Sequence, residues 1–591
     1  MSAPSPALLA TSIPVHTISV GGTALDSSIQ LLSIDVWTGV NKIPKARLVI
    51  SDGSAADESF PISESAALIP GVALTIALGY DSDQTIVFTG IIHRQGLDIT
   101  ANGPSRLVVE ATSSAIKMTL ARNNAIFADM SDSAVLAKLI ANAGLTADVT
   151  TTSTQHPALV QYYATDWDLL VMRAQLSGMV VTVSDPTVTV APPKTDGTSA
   201  LTLTYGESIL SFRANMDATT QVASSAIQSF AWDPGTQALL QSSSASADVA
   251  TPGNISSATL ASVFGISPYT QQSAGALLDA ELTDWSSAEL LKTQLAKIRG
   301  EVSFQGSALA VPGGMVTLAG LGARFNGDAF VSAVHHRLAE GAWRTHVEIG
   351  LSPNWFSATA PDVAAPGAAG QLPAVNNVQT ALVNKIDSDP DGEFRVFVTF
   401  PLLQAAEGDG VWARFGSFYA SNGIGSNFYP EIGDEVVVAF LNGDPRYPVI
   451  LGSLYSKAKP PPYPPVTGGE GAPNNIKSFW SKSNLHIDFV ENLPQLLIKT
   501  PANQSVDLND KEKTLTLTDA NGNTVTMSKS GIALDSASDI NITAKGSITI
   551  SATKNVTITA QQALAASGTS SAQLKSDGAI QVKGATVALN P

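Results

Sequence analysis

The sequence predicts a mainly β protein in which barrel-like modules with a few helices lead into a C-terminal β-helix shared between copies of the chain. Two observations predict this. The tail repeats every eight residues, and most of the remaining chain alternates apolar and polar residues between turns marked by Gly and Pro. At 591 residues the chain holds several domains, and with 44% hydrophobic and 14% charged residues it can bury large cores.

Over residues 531–582 the tail falls into octads without a gap, beginning GIALDSAS, DINITAKG, SITISATK and NVTITAQQ. Their second and fourth places are apolar throughout: Ile532/Leu534, Ile540/Ile542, Ile548/Ile550, Val556/Ile558, Leu564/Ala566, Ala572/Leu574 and Ile580/Val582. A spacing of two puts both side chains on one face of a short strand. A spacing of eight between rungs marks a repeat architecture. Two inward residues per rung make a thin stripe that nothing else in this segment covers, and a coil enclosed by one chain needs longer rungs. Copies that share one axis, with their stripes meeting inside, solve the problem. Shared backbone pairing also removes open strand edges. The tail is therefore expected to be an intertwined, homotrimeric β-helix. A low-complexity Ser/Thr/Ala linker would have no reason to keep this register.

The formal net charge of −17 argues against nucleic acid as a partner, since phosphate binding rests on Lys and Arg. Cys is absent, which removes disulfides and thiolate metal sites. No basic segment precedes an apolar one at the start, and nothing approaches the roughly 20 uninterrupted apolar residues of a membrane span. The expectation is a soluble protein made in the cytoplasm without a signal peptide. No cofactor or metal is expected: the His residues show no local ligand spacing, and His335 and His336, neighbours on a strand, point to opposite faces.

Residues 1–12 read as a flexible or docking arm. Strand-like segments follow, with Gly21, Gly22, Asp52 and Gly53 in turns. A helix opens at Ser131 or Asp132, carries Val135, Leu136, Leu139 and Ile140 on one face, and stops at Gly144. Residues 161–185 (QYYATDWDLLVMRAQLSGMVVTVSD) read as a strand, a Thr165/Asp166 cap, a helix packing Leu169, Leu170 and Leu176 inward, and a strand. This stretch resembles the QYRETDFDFLSRLLEEEGI segment of VgrG proteins, the hub and spike subunits of type VI secretion systems. Thr165, Asp166, Asp168 and Leu169 stand at the matching places, while Gln175 and Ser177 replace a Glu-rich stretch. Asp166 and Asp168 can be cast as paired catalytic carboxylates, but acids in a first helical turn also favour the helix dipole, so a structural role is expected. A further helix is expected over residues 285–299. Residues 304–356 look like the end of the VgrG hub. The resemblance implies a tail hub fold of two barrel modules over residues 13–359, which in a trimer would form a pseudo-sixfold ring able to sit on a sixfold tube.

Residues 360–376 are a Pro/Ala/Gly linker. Five strands at turn-punctuated spacing over residues 377–455 suit an OB-fold barrel. Here FRVFVTFP, VWARF and YPEIGDEVVVAFLNGDPRYPVILGSLY resemble the pattern of VgrG and phage baseplate spikes. Gly433, Glu435, Val436, Gly443, Asp444, Pro445, Pro448 and Gly452 occupy its places. Phe397, Trp412 and Phe415 can be cast as a platform for single-stranded nucleic acid. Glu407, Asp409, Asp434 and Glu435 make the surroundings negative, so core or interface packing is expected.

Residues 456–476 form a Pro/Gly connector, too short for the lysozyme domain that some phage spikes carry at this place. Strands in SFWSKSNLHIDFVEN and PQLLIKTP, then a hairpin LTLTDANGNTVTM turning at Asn521 and Gly522, lead into the octads. This makes residues 477–591 the spike, with His486, Ile487 and Asp488 in an ordinary strand and no effector domain after the last rung. The resemblance implies a structural, non-enzymatic hub and spike of a contractile injection system, an extracellular phage-tail-like particle or a type VI system. It further implies contacts with the inner tube protein, with baseplate wedge or hub proteins, and with a PAAR-like tip protein on Leu589, Asn590 and Pro591. Effector cargo and a transiently met target membrane complete the expected partners. The competing reading is a tailspike depolymerase, which needs two carboxylates about 5–9 Å apart across one groove. The octads carry only Asp535, Asp539 and Asp577, at different octad places.

Overall fold

Period-two alternation in the N-terminal part builds one continuous sheet of 13 strands. In the strand Lys45–Ser51, Ala46, Leu48 and Ile50 are buried while Lys45 and Arg47 face out. The computed structural model describes all residues except 1–2, 10–11, 102, 196–197, 245–248, 404–409, 466–467, 469–473 and 590–591. It divides into two compact units, Met1–Asn377 with Phe440–Tyr447, and Val378–Ala439 with Pro448–Pro591.

In the first unit two cores lie along the large sheet. One gathers Ile34, Leu48, Ile76, Ile92 and Leu107, the other Leu203, Val302, Phe304, Val331 and Val347. The strands Leu31–Gly39 and Gly327–Ala339 pair antiparallel, with Trp37 opposite His335, so the two cores lie on one continuous sheet. Ala3 and Pro4 of the expected arm lie against the strand Thr202–Thr204. The Pro4 carbonyl accepts from the Thr202 amide at 3.0 Å, and the Ala3 carbonyl accepts from the Thr202 hydroxyl at 3.0 Å.

A third core sits under two helices. Asp132–Asn142 opens on Ser131, whose hydroxyl accepts from the Ala134 amide at 3.3 Å, and buries the four expected apolar residues. Asp166–Leu176 opens on Thr165, which accepts from the Asp168 amide at 3.1 Å. Trp167, Leu170, Val171 and Ala174 face inward, Leu169 packs partly against them, and Leu176, expected inside, is half-buried. At 100° per residue, position 176 lies well off the stripe set by 167, 170, 171 and 174. The last long helix is Asp279–Leu295, not residues 285–299. It ends early because Ile298–Gln305 is a strand between Ile209–Met216 and Ala342–Ile349. Close pairing there needs Gly300, whose Cβ would lie 2.1 Å from the Arg213 carbonyl oxygen.

In the second unit the strands Gln379–Lys385, Val396–Thr399, Val411–Phe415, Pro448–Ser453 and Glu435–Phe440 close a barrel in that order. Val383, Val396, Val398, Ala413, Val436 and Ile450 fill it. An antiparallel meander of seven strands follows: Ile476–Trp480, His486–Val490, Gln495–Lys499, Ser505–Asn509, Thr514–Thr518, Thr524–Ser528 and Gly531–Asp535. The turn expected at Asn521 and Gly522 is a larger one. Only Gly522 has a positive φ, +89°, and the Asp519 carboxylate accepts from the Asn521 and Asn523 amides at 2.9 Å each. An Asx turn thus does the work that two left-handed residues do in a tight hairpin.

Candidate functional site

The meander has one apolar and one polar face. Cross-strand partners on the first run Phe479, Ile487, Ile498, Val506, Leu517, Val525 and Leu534. Beside them run Phe489, Leu496, Leu508, Leu515, Met527 and Ile532. The second face carries Ser478, Asp488, Asp507, Thr516 and Thr526 among its residues. The burial is inverted for a soluble sheet: Phe489, Ile498, Leu508, Leu517 and Met527 stand 40–43% exposed. Apolar pairs two apart, such as Ile487/Phe489, Leu496/Ile498 and Val506/Leu508, are the sequence signal for this face. It escapes a search for a fixed period because the strand-to-strand spacing varies.

Ile532 and Leu534 end the two apolar rows and are also the first octad pair, so the stripe runs on into the tail without a break. After Gly531–Asp535 no further strand forms among the described residues. The backbone nonetheless bends every eight residues, at 545–546, 553–554, 561–562, 569–570 and 577–578. The residues expected to form the spike core do not form one within a single chain. Ile532, Leu534, Ile540, Ile542, Ile548, Ile550, Val556, Ile558, Leu564, Leu574, Ile580 and Val582 are all exposed, from 49% at Ile580 to 80% at Leu574. Ile542 and Ile558, at the fourth place of their octads, stand 68% and 65% exposed. The physical reason is the length of the rung. Eight residues, with two apolar side chains among them, cannot wrap far enough to cover their own stripe, so any burial of these positions has to come from outside the chain. No backbone–backbone hydrogen bond forms within the described residues 539–589. Leu589 is exposed as well, while Asn590 and Pro591 lie outside the described residues.

The connector is anchored on the polar face. The buried Asp488 carboxylate accepts from Tyr463 Oη at 2.9 Å and Trp480 Nε1 at 3.2 Å, and lies 2.8 Å from His486 Nδ1. Trp480 stacks on His486 at 4.2 Å. The strand reading of His486 to Asp488 holds, but the carboxylate is also a clamp on Tyr463.

The other candidates have structural partners. Asp166 accepts from Gln161 Nε2 at 2.7 Å and from Asn123 Nδ2 at 2.9 Å. His335 and His336 do point to opposite faces. His335 stacks between Trp37 at 4.8 Å and His346 at 5.6 Å along a groove of about 640 Å³, with Asp35 Oδ1 2.9 Å from its Nε2. His336 lies inside against Trp343, where burial, reinforced by the charge of His335, pushes its pKa down to about 3. In the barrel, Phe397 meets Trp412 edge-on at 5.2 Å and Phe415 stacks on Tyr429 at 5.2 Å, so these rings pack on protein neighbours. Glu407 and Asp409 lie outside the described residues.

Sequence reasoning missed the loop with Asp387, Asp389, Asp391 and Gly392, whose spacing is that of a cation loop. Arg395 fills it, with Nη2 2.6 Å from Asp389 Oδ1 and a further bond to Asp391. Those Arg395 hydrogen bonds hold Asp389 well below the usual carboxylate range. Among the described residues no group of three or more His, Asp or Glu side chains is placed to hold a metal ion, and no helix is long and apolar enough to cross a membrane.

Comparison with known proteins agrees with this architecture. The family described as the Alg8 N-terminal domain matches residues 10–340, more than half of the chain. The family described as the type VI secretion system/phage-baseplate injector OB domain matches residues 379–455, the span of the closed barrel. The type VI secretion system spike protein VgrG1b of Pseudomonas aeruginosa is 30% identical over 154 residues, 24% of this chain and 20% of that protein. The chain spans about a fifth of the length of VgrG1b and of two further Pseudomonas aeruginosa VgrG spike proteins that it matches. Among solved structures, a tail protein from Neisseria meningitidis is 14% identical over 58% of this chain and 98% of its own, with a TM-score of 0.44. An E. coli type VI secretion component, described as similar to the T4 tail proteins gp27 and gp5, is 13% identical over 74% of this chain and 99% of its own, with a TM-score of 0.36. By the model matched over residues 10–340 the chain belongs to the Alg8 N-terminal domain family, and with its injector OB barrel it is VgrG-like.

Proposed function

We propose that three copies of this chain assemble around the apolar stripe into the central hub and spike of a contractile injection system. The observation that carries this reading is the uncovered stripe, continuous from Phe479 to Val582, joined to a backbone that bends every eight residues without pairing to itself. With threefold symmetry the second and fourth octad places of each chain turn inward to meet their counterparts, and the backbone groups pair between chains. Ile542 and Ile558, exposed in one chain, then face the axis with the rest of the stripe. Burying a Leu or Ile side chain stabilises by about 1.5–3 kcal/mol, so a long run of rungs makes a stiff needle without a hinge. The N-terminal unit adapts the sixfold inner tube to this threefold needle and contacts baseplate wedge or hub proteins. Leu589, Asn590 and Pro591 receive a PAAR-like tip protein, and cargo travels with the spike. Sheath contraction supplies the work, and the target membrane is met only in passing. The particle acts outside the cell after release or from a membrane-held base, and the role is mechanical rather than enzymatic.

The test is the mass of the full-length protein in solution by light scattering, beside a version ending at Lys457. A full-length mass of three chains, with a monomeric or unstable shorter version, is the expected result. A full-length monomer would sink the mechanical reading.

A further inference from the structure

The apolar stripe does not start at the meander. It has an aromatic head on the loop that leaves the barrel strand Val411–Phe415. That loop is held in shape by its own backbone: Ser426 N donates to Tyr419 O at 2.8 Å and Ser421 N to Ile424 O at 2.9 Å. Ser417 Oγ also donates to Ser426 O at 3.0 Å. The rigid excursion presents Phe418 at 80% exposure and Phe428 at 60%. The rings form a ladder. Phe418 stacks on Phe428 at 6.5 Å, and Phe428 stacks on Phe479 at 6.0 Å, with interplanar angles of 24° and 22°. Phe479 is the first residue of the meander's apolar row, directly opposite Ile487.

Large aromatic rings fixed in the open by a hydrogen-bonded loop are the kind of anchor that protein interfaces use, because little conformational freedom remains to be lost on contact. The occupant follows from continuity. Only chains running alongside can cover the row from Phe479 onward, and cyclic symmetry sets equivalent residues of each copy at the same height on the axis. A neighbour that covers Ile487 and Phe479 brings its own Phe418 and Phe428 to the level of this ladder. Resting on the trimeric reading, we infer that Phe418, Phe428 and Phe479 form an aromatic collar between copies of this chain. The interface then begins at the barrel loop, before any β-helix, and fixes the rotational register in which the three tails enter it.

The test replaces Phe418, and separately Phe428, with the photoreactive p-benzoylphenylalanine in the full-length protein. Both sites are exposed in the single chain, so a bulky ring is tolerated by the fold. After irradiation, the expected result is a denaturation-resistant product of two or three chains. Mass spectrometry should place its cross-linked peptide within residues 416–434 or 476–490 of a second copy. Particles with the mass of three chains that yield only cross-links within one chain overturn the collar and leave the trimer standing. Particles with the mass of one chain overturn the trimer and the collar together.

Discussion

Arg173 and Asp132 are joined by two hydrogen bonds, Nε to Oδ1 at 2.6 Å and Nη2 to Oδ2 at 3.0 Å, and the same guanidinium reaches Glu281 Oε1 at 2.8 Å. One partly buried cation thus ties the three long helices of the hub, Asp132–Asn142, Asp166–Leu176 and Asp279–Leu295. Burial alone would raise the pKa of Asp132. The hydrogen bonds and charge of Arg173, followed by those of His156, outweigh it and hold the carboxyl below its usual range. Removing one partner from such a cluster strands the other charges away from water. Arg173→Met is expected to cost about 3–5 kcal/mol. Calorimetry should show this as a fall on the order of 10 °C in the unfolding temperature of the N-terminal unit. Because the carboxyl is depressed, its stabilising effect is complete above its ordinary pKa and is lost as pH falls below about 4. The gap between wild type and variant should therefore narrow below that pH, and a gap independent of pH would contradict the assignment.

At Lys292 it is the charged form that costs stability, whereas at Asp132 the charged form contributes it. Lys292 is 4% exposed, donates to the Asn354 carbonyl at 2.8 Å and lies 5.0 Å above the Trp355 indole. Burial, partly opposed by Glu289, brings its pKa down to about 8. A depressed lysine favours unfolding while it is charged, and that cost fades as pH rises from about 8 to about 10.4, its value in an unfolded chain. Lys292→Met should abolish this dependence. Across that window wild type should gain roughly 3 kcal/mol on the variant, read from paired denaturation curves. Parallel pH profiles would rule out a buried, titrating lysine.

The close approach of Gly306 to Trp343 makes a third test. Trp343 is nearly fully buried, with Tyr80 at 5.5 Å and His336 at 5.8 Å from its ring. A Cβ on Gly306 would lie 2.1 Å from Trp343 Cδ2, so the indole or the backbone would have to move. Gly306→Ala should cost about 3 kcal/mol or more, the upper end for overpacking. A change under about 0.5 kcal/mol in chemical denaturation would show that the pocket is looser than this.

What was legible in the sequence is what local signals encode. The octads have a fixed period, and the barrel strands are marked by alternation and by turns such as that at Gly433, with its φ of +84°. The period marks Ile542 and Ile558 as members of one stripe, but it is silent on what covers them, and one chain leaves both open. The helix Asp279–Leu295 begins earlier than expected because its N-cap is Leu278, which makes no side-chain cap, so the usual Ser, Thr or Asp signal is missing there. Its end was hidden because Ile298 leaves helical periodicity for a strand pairing set by distant residues. The Phe418, Phe428 and Phe479 ladder joins residues across the connector, and no spacing rule links them. Asp488 reads as an ordinary strand residue because its partner Tyr463 sits in a Pro-rich connector with no period of its own.

The rung at Ile548 and Ile550 separates a lone tail from a shared one. In one chain both side chains are exposed, 53% and 71%, so replacing them by Ser costs an isolated chain almost nothing. In a helix shared by three chains the same double substitution removes six apolar side chains from one level of the axis. At about 1.5–3 kcal/mol for each buried Ile, the loss is large enough to lower the temperature at which the oligomer resists detergent. The hub and barrel transitions should stay in place, since the buried residues of neither include this rung. Thr549, between the two, alternates to the opposite face, and Thr549→Ser should leave detergent resistance unchanged. Unboiled denaturing gels across a temperature series read both variants. If the double variant resists as well as the parent, the second and fourth octad places do not face the axis.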